Sequence, residues 1–178
     1  MKLVLLVTSI LLWYGPSPGQ TSFYFDEPFK RPVKLPDAMA PLLRDVVNES
    51  SCRGQVTTEN ADLRSWFVGS RITLNRDRLA FIVRSSGERH CLTGTDNVWF
   101  WVFLKTAKGY RKVLSGGTLL VDVLKSSSHG LHDIETNVAT ARTSYRNFYR
   151  FDGTAYQMRK CMESTPVGAK HVRVPCRS

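Results

Sequence analysis

Two histidines and an aspartate in segment 128–134 (SHGLHDI) are the residues best suited to chemistry. A histidine can act as a general base near neutral pH and a carboxylate can orient it. His129, His132 and Asp133 are therefore the candidate catalytic residues of a secreted hydrolase, such as a phosphodiesterase or nuclease. Adjacent residues of a strand point to opposite faces, which separates His132 from Asp133. A structural role in a loop and the following strand is the favoured interpretation.

Other reactive groups lack the spacing that catalysis or metal binding needs. No serine stands in a Gly-x-Ser-x-Gly elbow, and the cysteines form no Cys-x-x-Cys pair that would suggest zinc or redox chemistry. The glycines at 116 and 117 have no neighbouring lysine of the kind that phosphate-binding loops carry. The sequence therefore predicts no metal and no cofactor.

Aromatic residues at strand-like spacing are the candidate binding residues for a glycan or a peptide. They are Trp99, Trp101, Tyr110, Tyr149 and Tyr156. In a strand, Trp99 and Trp101 share one face, while the intervening Phe100 lies on the other. One face is expected in the core. Burial of the second face, or its cover by the N-terminal arm, is the favoured interpretation, and a binding surface is the alternative.

The N-terminus has the form of a signal peptide over residues 1–19. Lys2 precedes an apolar run at 3–13 that is too short to span a bilayer, and Ser17 and Gly19 suit cleavage before Gln20. An uncleaved anchor is the alternative. No later stretch is apolar enough to cross a membrane. The predicted location is therefore secreted or periplasmic.

The cysteines fit an exported protein, because an even number behind a signal peptide indicates a disulfide framework. They are Cys52, Cys91, Cys161 and Cys176. Three pairings are open. The favoured pairing joins Cys52 to Cys91 and Cys161 to Cys176, since each bridge then closes a loop within one half of the chain.

The formal net charge is +10, and removal of residues 1–19 takes away only Lys2. Such a surplus favours acidic partners, so the expected partner is an acidic polymer, an envelope surface or another protein. The basic residues are scattered along the chain, however, and no run resembles a nucleic-acid motif. Solvated strand faces are the simpler explanation of the charge.

Pattern and turn residues predict an α+β fold, mainly antiparallel β-sheet with one N-terminal helix. Residues 20–36 are rich in proline and predict an extended arm, with Phe23, Tyr24, Phe25 and Phe29 on the domain surface. A helix is expected over 38–48, with Asp37 as its N-cap. Residues 37–178 then form a single mainly-β domain of short strands separated by turns.

The hairpin signal with the most specific mechanism is Asp152-Gly153, which lies between aromatic runs. It predicts a two-residue turn that joins a strand ending at Phe151 to one beginning near Ala155, with Gly153 at positive φ. Tyr149 or Phe151 should pair with Tyr156. Similar motifs recur about fifty residues apart, as they would after duplication of a four-stranded unit. The ordinary self-similarity of an antiparallel meander is the favoured interpretation, and duplication is the alternative.

Several short motifs resemble those of a group of bacterial secreted proteins that share a WVF…GY…VLK…HGxxDI…YRFDGxxY pattern. They lie at 97–103, 109–110, 123–125, 128–134 and 149–156, and cover about the last half of the chain. The resemblance implies export and assigns no activity. The sequence thus favours an exported, basic, disulfide-stabilised protein that acts as a non-enzymatic binding module. The secreted hydrolase is the alternative.

Overall fold

Turn residues at short intervals divide most of the chain into hairpins, and the structure folds them into two antiparallel sheets. The structure is a computed structural model that describes residues 21–53, 63–86, 90–92, 97–167 and 170–176. Its elements are β1 (Thr21–Tyr24), β2 (Pro32–Val33), α1 (Ala40–Glu49), β3 (Phe67–Asn75), β4 (Arg78–Ser85), β5 (Val98–Thr106), β6 (Gly109–Thr118), β7 (Leu120–Ser128), β8 (Leu131–Ala139), β9 (Ser144–Phe151), β10 (Tyr156–Val167) and β11 (Lys170–Pro175). The predicted class, mainly antiparallel β with one N-terminal helix, is confirmed. The predicted signal peptide lies outside the described residues.

The strands form a small sheet in the order β2-β3-β4-β5-β6 and a large sheet in the order β1-β7-β8-β9-β10-β11. Within each sheet, five strands that are consecutive in the chain pair in sequence order, β2 to β6 in the small sheet and β7 to β11 in the large sheet. The motifs that repeat in the sequence fall on β4 and β8, on β5 and β9, and on β6 and β10. Strands β3 to β6 and strands β7 to β10 therefore hold corresponding places in the two sheets. The duplication itself stays a prediction.

The main core lies between the sheets and is filled from alternate positions of facing strands. Phe100 and Val102 enter it from the small sheet, and Val121 and Ile134 enter it from the large sheet. Each of these side chains is almost fully buried. Burial of one such side chain stabilises the fold by about 1.5–3 kcal/mol.

The proline-rich arm is part of both sheets, because β1 pairs with β7 and β2 pairs with β3. Phe23, Phe25 and Phe29 are buried, and the Phe25 ring centroid lies 5.6 Å from that of Phe100. Only Tyr24 is exposed, since alternate residues of β1 face opposite sides. The prediction that these rings lie on the surface is wrong for the three phenylalanines. They fill an edge of the sandwich that would otherwise expose the core.

Helix α1 covers the outer face of the small sheet and creates a second core. Leu43, Val46 and Val47 of the helix join Trp101 and Phe103 of β5 in this cluster. The predicted N-cap is wrong. A 3-10 turn (Asp37–Met39) precedes the helix, Met39 occupies the N-cap position, and no side chain caps it. The Asp37 carboxylate instead pairs with Arg64.

The turn between β9 and β10 confirms the hairpin predicted at Asp152-Gly153. Gly153 has a φ of 100°, and the Asp152 N–H donates to the Ala155 carbonyl at 3.0 Å. Phe151 pairs with Tyr156, and their ring centroids are 5.4 Å apart. The turn is longer than predicted, because β10 begins at Tyr156. Its extra residues let the Asp152 carboxylate accept the N–H groups of Thr154 and Ala155, each at 2.8 Å.

Both predicted disulfides are confirmed, Cys52–Cys91 and Cys161–Cys176. The first joins the chain just after α1 to the 3-10 turn (His90–Leu92) that precedes β5. The second joins Cys161 of β10 to the residue that follows its paired strand β11. Each bridge therefore holds neighbouring elements of one half of the chain.

Candidate functional site

The outer face of β5 carries the two tryptophans that the sequence singled out. Strand alternation turns Phe100 into the sandwich and turns Trp99 and Trp101 towards the layer that holds α1. Trp101 is buried, and its ring meets that of Phe67 edge to face at 5.6 Å. Trp99 remains 46% exposed. One tryptophan therefore anchors the layer while the next presents its indole to solvent.

These two residues line a cavity of about 390 Å³ between the C-terminal end of α1 and strands β5 and β6. We call it the tryptophan pocket. Its lining residues are Val46, Glu49, Ser50, Ser51, Cys91, Leu92, Trp99, Trp101, Lys112 and Ser115. This volume is in the range of small-ligand sites, which combine an apolar surface with a few polar groups.

The polar side of the pocket is built around an ion pair. Lys112 Nζ donates to Glu49 Oε2 at 2.6 Å, and both side chains keep contact with solvent. The Ser50 hydroxyl donates to the Val47 carbonyl at 2.7 Å and accepts from the Cys52 N–H at 3.1 Å. These bonds fix the turn that ends α1. The charges and hydroxyl groups therefore stand beside the indoles on a rigid frame.

The Cys52–Cys91 bridge forms part of that frame. Cys52 is fully buried, and Cys91 lines the pocket next to Leu92. The bridge ties the end of α1 to the chain segment that leads into β5. Both walls of the pocket are thus joined covalently.

The five predicted binding residues do not come together in one place. Trp99 and Trp101 line the pocket, whereas the Tyr110 ring packs on Phe81 with centroids 5.8 Å apart. Tyr149 and Tyr156 lie on the large sheet. Tyr156 belongs to the core between the sheets, and the half-buried Tyr149 packs against that core.

Tyr156 is buried and donates its hydroxyl to the His132 carbonyl at 2.6 Å. Burial raises the pKa of Tyr156, and the nearby Asp133 charge raises it further. Burial also raises the pKa of Tyr149, although a hydrogen bond with Thr136 acts in the opposite direction. Both tyrosines therefore remain protonated at neutral pH, and their role is to pack in or against the core of the fold.

The alternative catalytic residues lie together on the β7–β8 hairpin. His129 occupies the turn with a φ of 48°, and its Nδ1 lies 2.8 Å from the Phe151 carbonyl oxygen, which makes Nδ1 the donor. Asp133 is buried, with Oδ2 3.9 Å from Arg150 Nε. Within the described residues, His132 Nδ1 and Asp133 Oδ1 are buried without a hydrogen-bond partner. No hydrogen bond in this part of the chain joins either histidine to Asp133.

Sequence reasoning missed the polar half of the pocket. Glu49 and Lys112 are 63 positions apart, and each sits in an ordinary amphipathic pattern. To place Glu49 beside Lys112, one would have had to predict that α1 packs on the outer face of β5 and β6. Local patterns do not contain that information.

Among the described residues, no group of three histidine, cysteine, aspartate or glutamate side chains is placed to hold a metal ion. None of the helices in the described ranges has the length and apolarity needed to cross a membrane. No protein-family model, curated protein or solved structure matches this chain. The resemblance to the bacterial secreted group therefore stays a prediction.

Proposed function

We propose that the protein is an exported, non-enzymatic binding module that holds a neutral glycan of the cell envelope in the tryptophan pocket. One observation carries the proposal. Trp99 is 46% exposed beside the buried Trp101, in a cavity of about 390 Å³ that also holds an ion pair and serine hydroxyls. An exposed indole offers a flat apolar face, and the polar groups can bond to sugar hydroxyls.

A neutral glycan suits the pocket better than a charged or wholly apolar ligand. The charges of Lys112 and Glu49 neutralise each other at 2.6 Å, so the lining has no net charge to attract an ion. Glu49 Oε1 and the Ser51 and Ser115 side chains are the acceptors and donors available to hydroxyl groups. A wholly apolar ligand would leave these groups without partners, which costs affinity.

The absence of a reactive arrangement around the pocket supports binding rather than catalysis. The Ser50 hydroxyl donates to the Val47 carbonyl, and the described residues that line the pocket include no histidine. His129, His132 and Asp133 lie on the other sheet. A nucleophile needs a base within hydrogen-bond reach. Among the described residues, the Ser50 hydroxyl bonds only to backbone groups, and the Glu49 carboxylate pairs with Lys112.

A titration with N-acetylglucosamine oligosaccharides, followed by isothermal calorimetry and tryptophan fluorescence, tests the proposal. Trp99→Ala should weaken binding at least tenfold, because it removes the stacking face. Tyr24→Ala is the matched control, since Tyr24 is equally exposed but lies on β1 of the other sheet. Equal affinities of the two variants for a bound oligosaccharide would contradict the proposed site. A parent protein that binds no neutral glycan would contradict the ligand class.

Export is proposed on the signal-like N-terminus together with two disulfides, which persist in oxidising compartments. Intact mass of exported material, measured with and without reduction, checks both points. The expected mature chain begins at Gln20 and gains four hydrogens on reduction. Four free thiols in exported material would contradict this proposal.

The secreted hydrolase remains the second candidate because of one observation. Buried polar atoms nearly always have a partner, yet His132 Nδ1 and Asp133 Oδ1 have none within the described residues. If they serve catalysis, the His129→Ala/His132→Ala double variant should abolish hydrolysis of a chromogenic phosphodiester. The same variant should keep the oligosaccharide affinity of the parent, because the pocket lies on the small sheet.

A further inference from the structure

Four hairpin turns lie together at one end of the sandwich, which we call the hairpin end. Ala80 pairs with Leu104, so the β3–β4 turn and the β5–β6 turn are neighbours. The Asn75 side-chain amide donates to the Gly130 carbonyl at 2.6 Å, which ties the β3–β4 turn to the β7–β8 turn. The β9–β10 turn joins them through the bond from His129 Nδ1 to the Phe151 carbonyl.

Basic side chains from all four hairpins meet at this end. The exposed cations are Arg76, Arg78, Lys105, Lys108, Lys125 and Arg150. Only two exposed carboxylates, Asp77 and Asp152, accompany them in the turns. Arg150 lies 3.9 Å from the buried Asp133, whereas the other five cations have no ion pair within the described residues.

Cations that are far apart in the sequence therefore lie close together in the folded chain. In the sequence these six cations are spread from residue 76 to residue 150, and no local run suggested a binding motif. On the hairpin end they share one surface. Unpaired cations grouped in this way create a local positive potential that attracts anionic partners.

We infer that the hairpin end is a docking surface for the anionic headgroups of a phospholipid bilayer. The cations lie in the turns or on the strand ends beside them in both sheets, whose mean planes lie about 10 Å apart, so they form a two-dimensional array and not a single line. A planar array matches a planar surface of phosphate groups. A linear polyanion would neutralise only one row of it.

The contact is electrostatic and superficial. The exposed large hydrophobic residues of the described chain are Tyr24, Trp99, Met158, Val172 and Val174, and none lies in the four turns. Within the described residues, the four turns themselves thus expose no large apolar side chain for insertion between acyl chains, and Ala107 is too small for that role. Binding is expected to fall steeply with salt, because screening acts over about 30 Å at 0.01 M salt but over only about 3 Å at 1 M.

This surface is separate from the tryptophan pocket. Trp99 is near the start of β5 and Lys105 is near its end, six residues or about 20 Å away along the strand. A failure of membrane docking would therefore leave the glycan proposal untouched, and the reverse also holds. If both sites operate, docking by the hairpin end leaves the pocket free of the membrane.

The test is co-sedimentation of the intact disulfide-bonded protein with vesicles of phosphatidylcholine, with and without phosphatidylglycerol. The parent should bind only the anionic vesicles and should dissociate at high salt. Arg78→Ser/Lys105→Ser/Lys108→Ser should weaken binding about a hundredfold, since each surface cation contributes about fivefold to such binding. The matched control is Lys34→Ser/Arg44→Ser/Arg142→Ser, which removes three exposed cations elsewhere and should bind nearly as the parent does.

Two results would overturn the inference. In the first, the parent does not bind anionic vesicles; if it then binds a soluble acidic polysaccharide, the surface belongs to a different ligand. In the second, the two triple variants lose equal affinity, which would indicate an effect of net charge without a defined surface. Thermal melts of both variants confirm that each is folded before its binding is compared.

Discussion

Lys112 Nζ lies 2.6 Å from Glu49 Oε2, and this ion pair joins β6 to the end of α1 across the tryptophan pocket. The Lys112 side chain is 33% exposed and that of Glu49 is 64% exposed. Solvent therefore screens the pair, and its role is to position polar groups beside the indoles more than to stabilise the fold.

The solvent exposure of Lys112 and Glu49 limits how much their ion pair contributes to the free energy of unfolding. In a double-mutant cycle of Lys112→Met and Glu49→Gln, the coupling free energy should be about 0.2–1 kcal/mol and should fall as salt is added. Urea unfolding of the parent, the two single variants and the double variant measures it. A coupling of several kcal/mol would mean that the pair is shielded from solvent.

The arm should behave as part of the core. Phe25 is 1% exposed and contacts both Phe29 and Phe100, so Phe25→Ala should lower the free energy of unfolding by about 3–5 kcal/mol. Tyr24→Ala, one residue earlier on the solvent side of β1, should change it by less than about 0.5 kcal/mol. Chemical denaturation compares the two. Similar small losses would mean that the arm only rests on the surface.

The β9–β10 turn should not tolerate a side chain at Gly153. Its φ of 100° strains any L-residue, while an added Cβ would meet no atom within 4 Å, so the cost comes from the backbone alone. We expect Gly153→Val to cost about 1–3 kcal/mol in a thermal melt. Gly117→Ala is the control, because Gly117 lacks a positive φ and its nearest neighbour is Asn97 Cβ at 3.5 Å. A melt of Gly153→Val identical to the parent would contradict the observed turn.

Ionisation of Asp152 should make the stability of the folded protein depend on pH. Hydrogen bonds from the backbone N–H groups of Ala155 and Thr154 lower the pKa of the Asp152 carboxyl below its usual value. The ionised form is therefore favoured in the folded state. Its contribution to stability is present above the ordinary aspartate pKa of about 3.9 and is lost as the pH falls through the lowered folded value.

The measurement for Asp152 compares melting temperatures of the parent and Asp152→Asn over this pH range. The asparagine keeps an acceptor oxygen but cannot ionise, so the parent should be the more stable at neutral pH and the difference should vanish in acid. A difference independent of pH would assign the effect to turn geometry and not to charge.

Sequence patterns predicted those features that neighbouring residues decide. The Asp152-Gly153 turn needs only a residue that tolerates positive φ and an acceptor beside it, so two residues sufficed to predict it. The face shared by Trp99 and Trp101 follows from strand alternation alone. Of three open disulfide pairings, loop closure within each half of the chain favoured the one that the structure has.

Other expectations failed because a local pattern cannot show what packs against it. The proline-rich sequence of the arm predicts a surface segment. In the structure, however, its three phenylalanine side chains are part of the core between the sheets. Asp37 has the chemistry of an N-cap, but the chain makes a 3-10 turn there and its carboxylate finds Arg64 instead. Tyr149 and Tyr156 are aromatic residues at strand-like spacing, as are found in binding surfaces. Only the packing of the two sheets shows that their side chains face the core.

The sequence by itself determined the class of fold, the presence of one helix and the positions of turns, because each depends on residues close in the chain or on simple periodicity. It favoured the disulfide pairing without deciding it. Only the tertiary structure decided that Glu49 meets Lys112 beside two tryptophans, and that cations from residue 76 to residue 150 gather at one end. The physical reason is that strand register and sheet packing bring distant segments together. Those contacts depend on the total buried surface and on shape complementarity, which no single stretch of sequence contains.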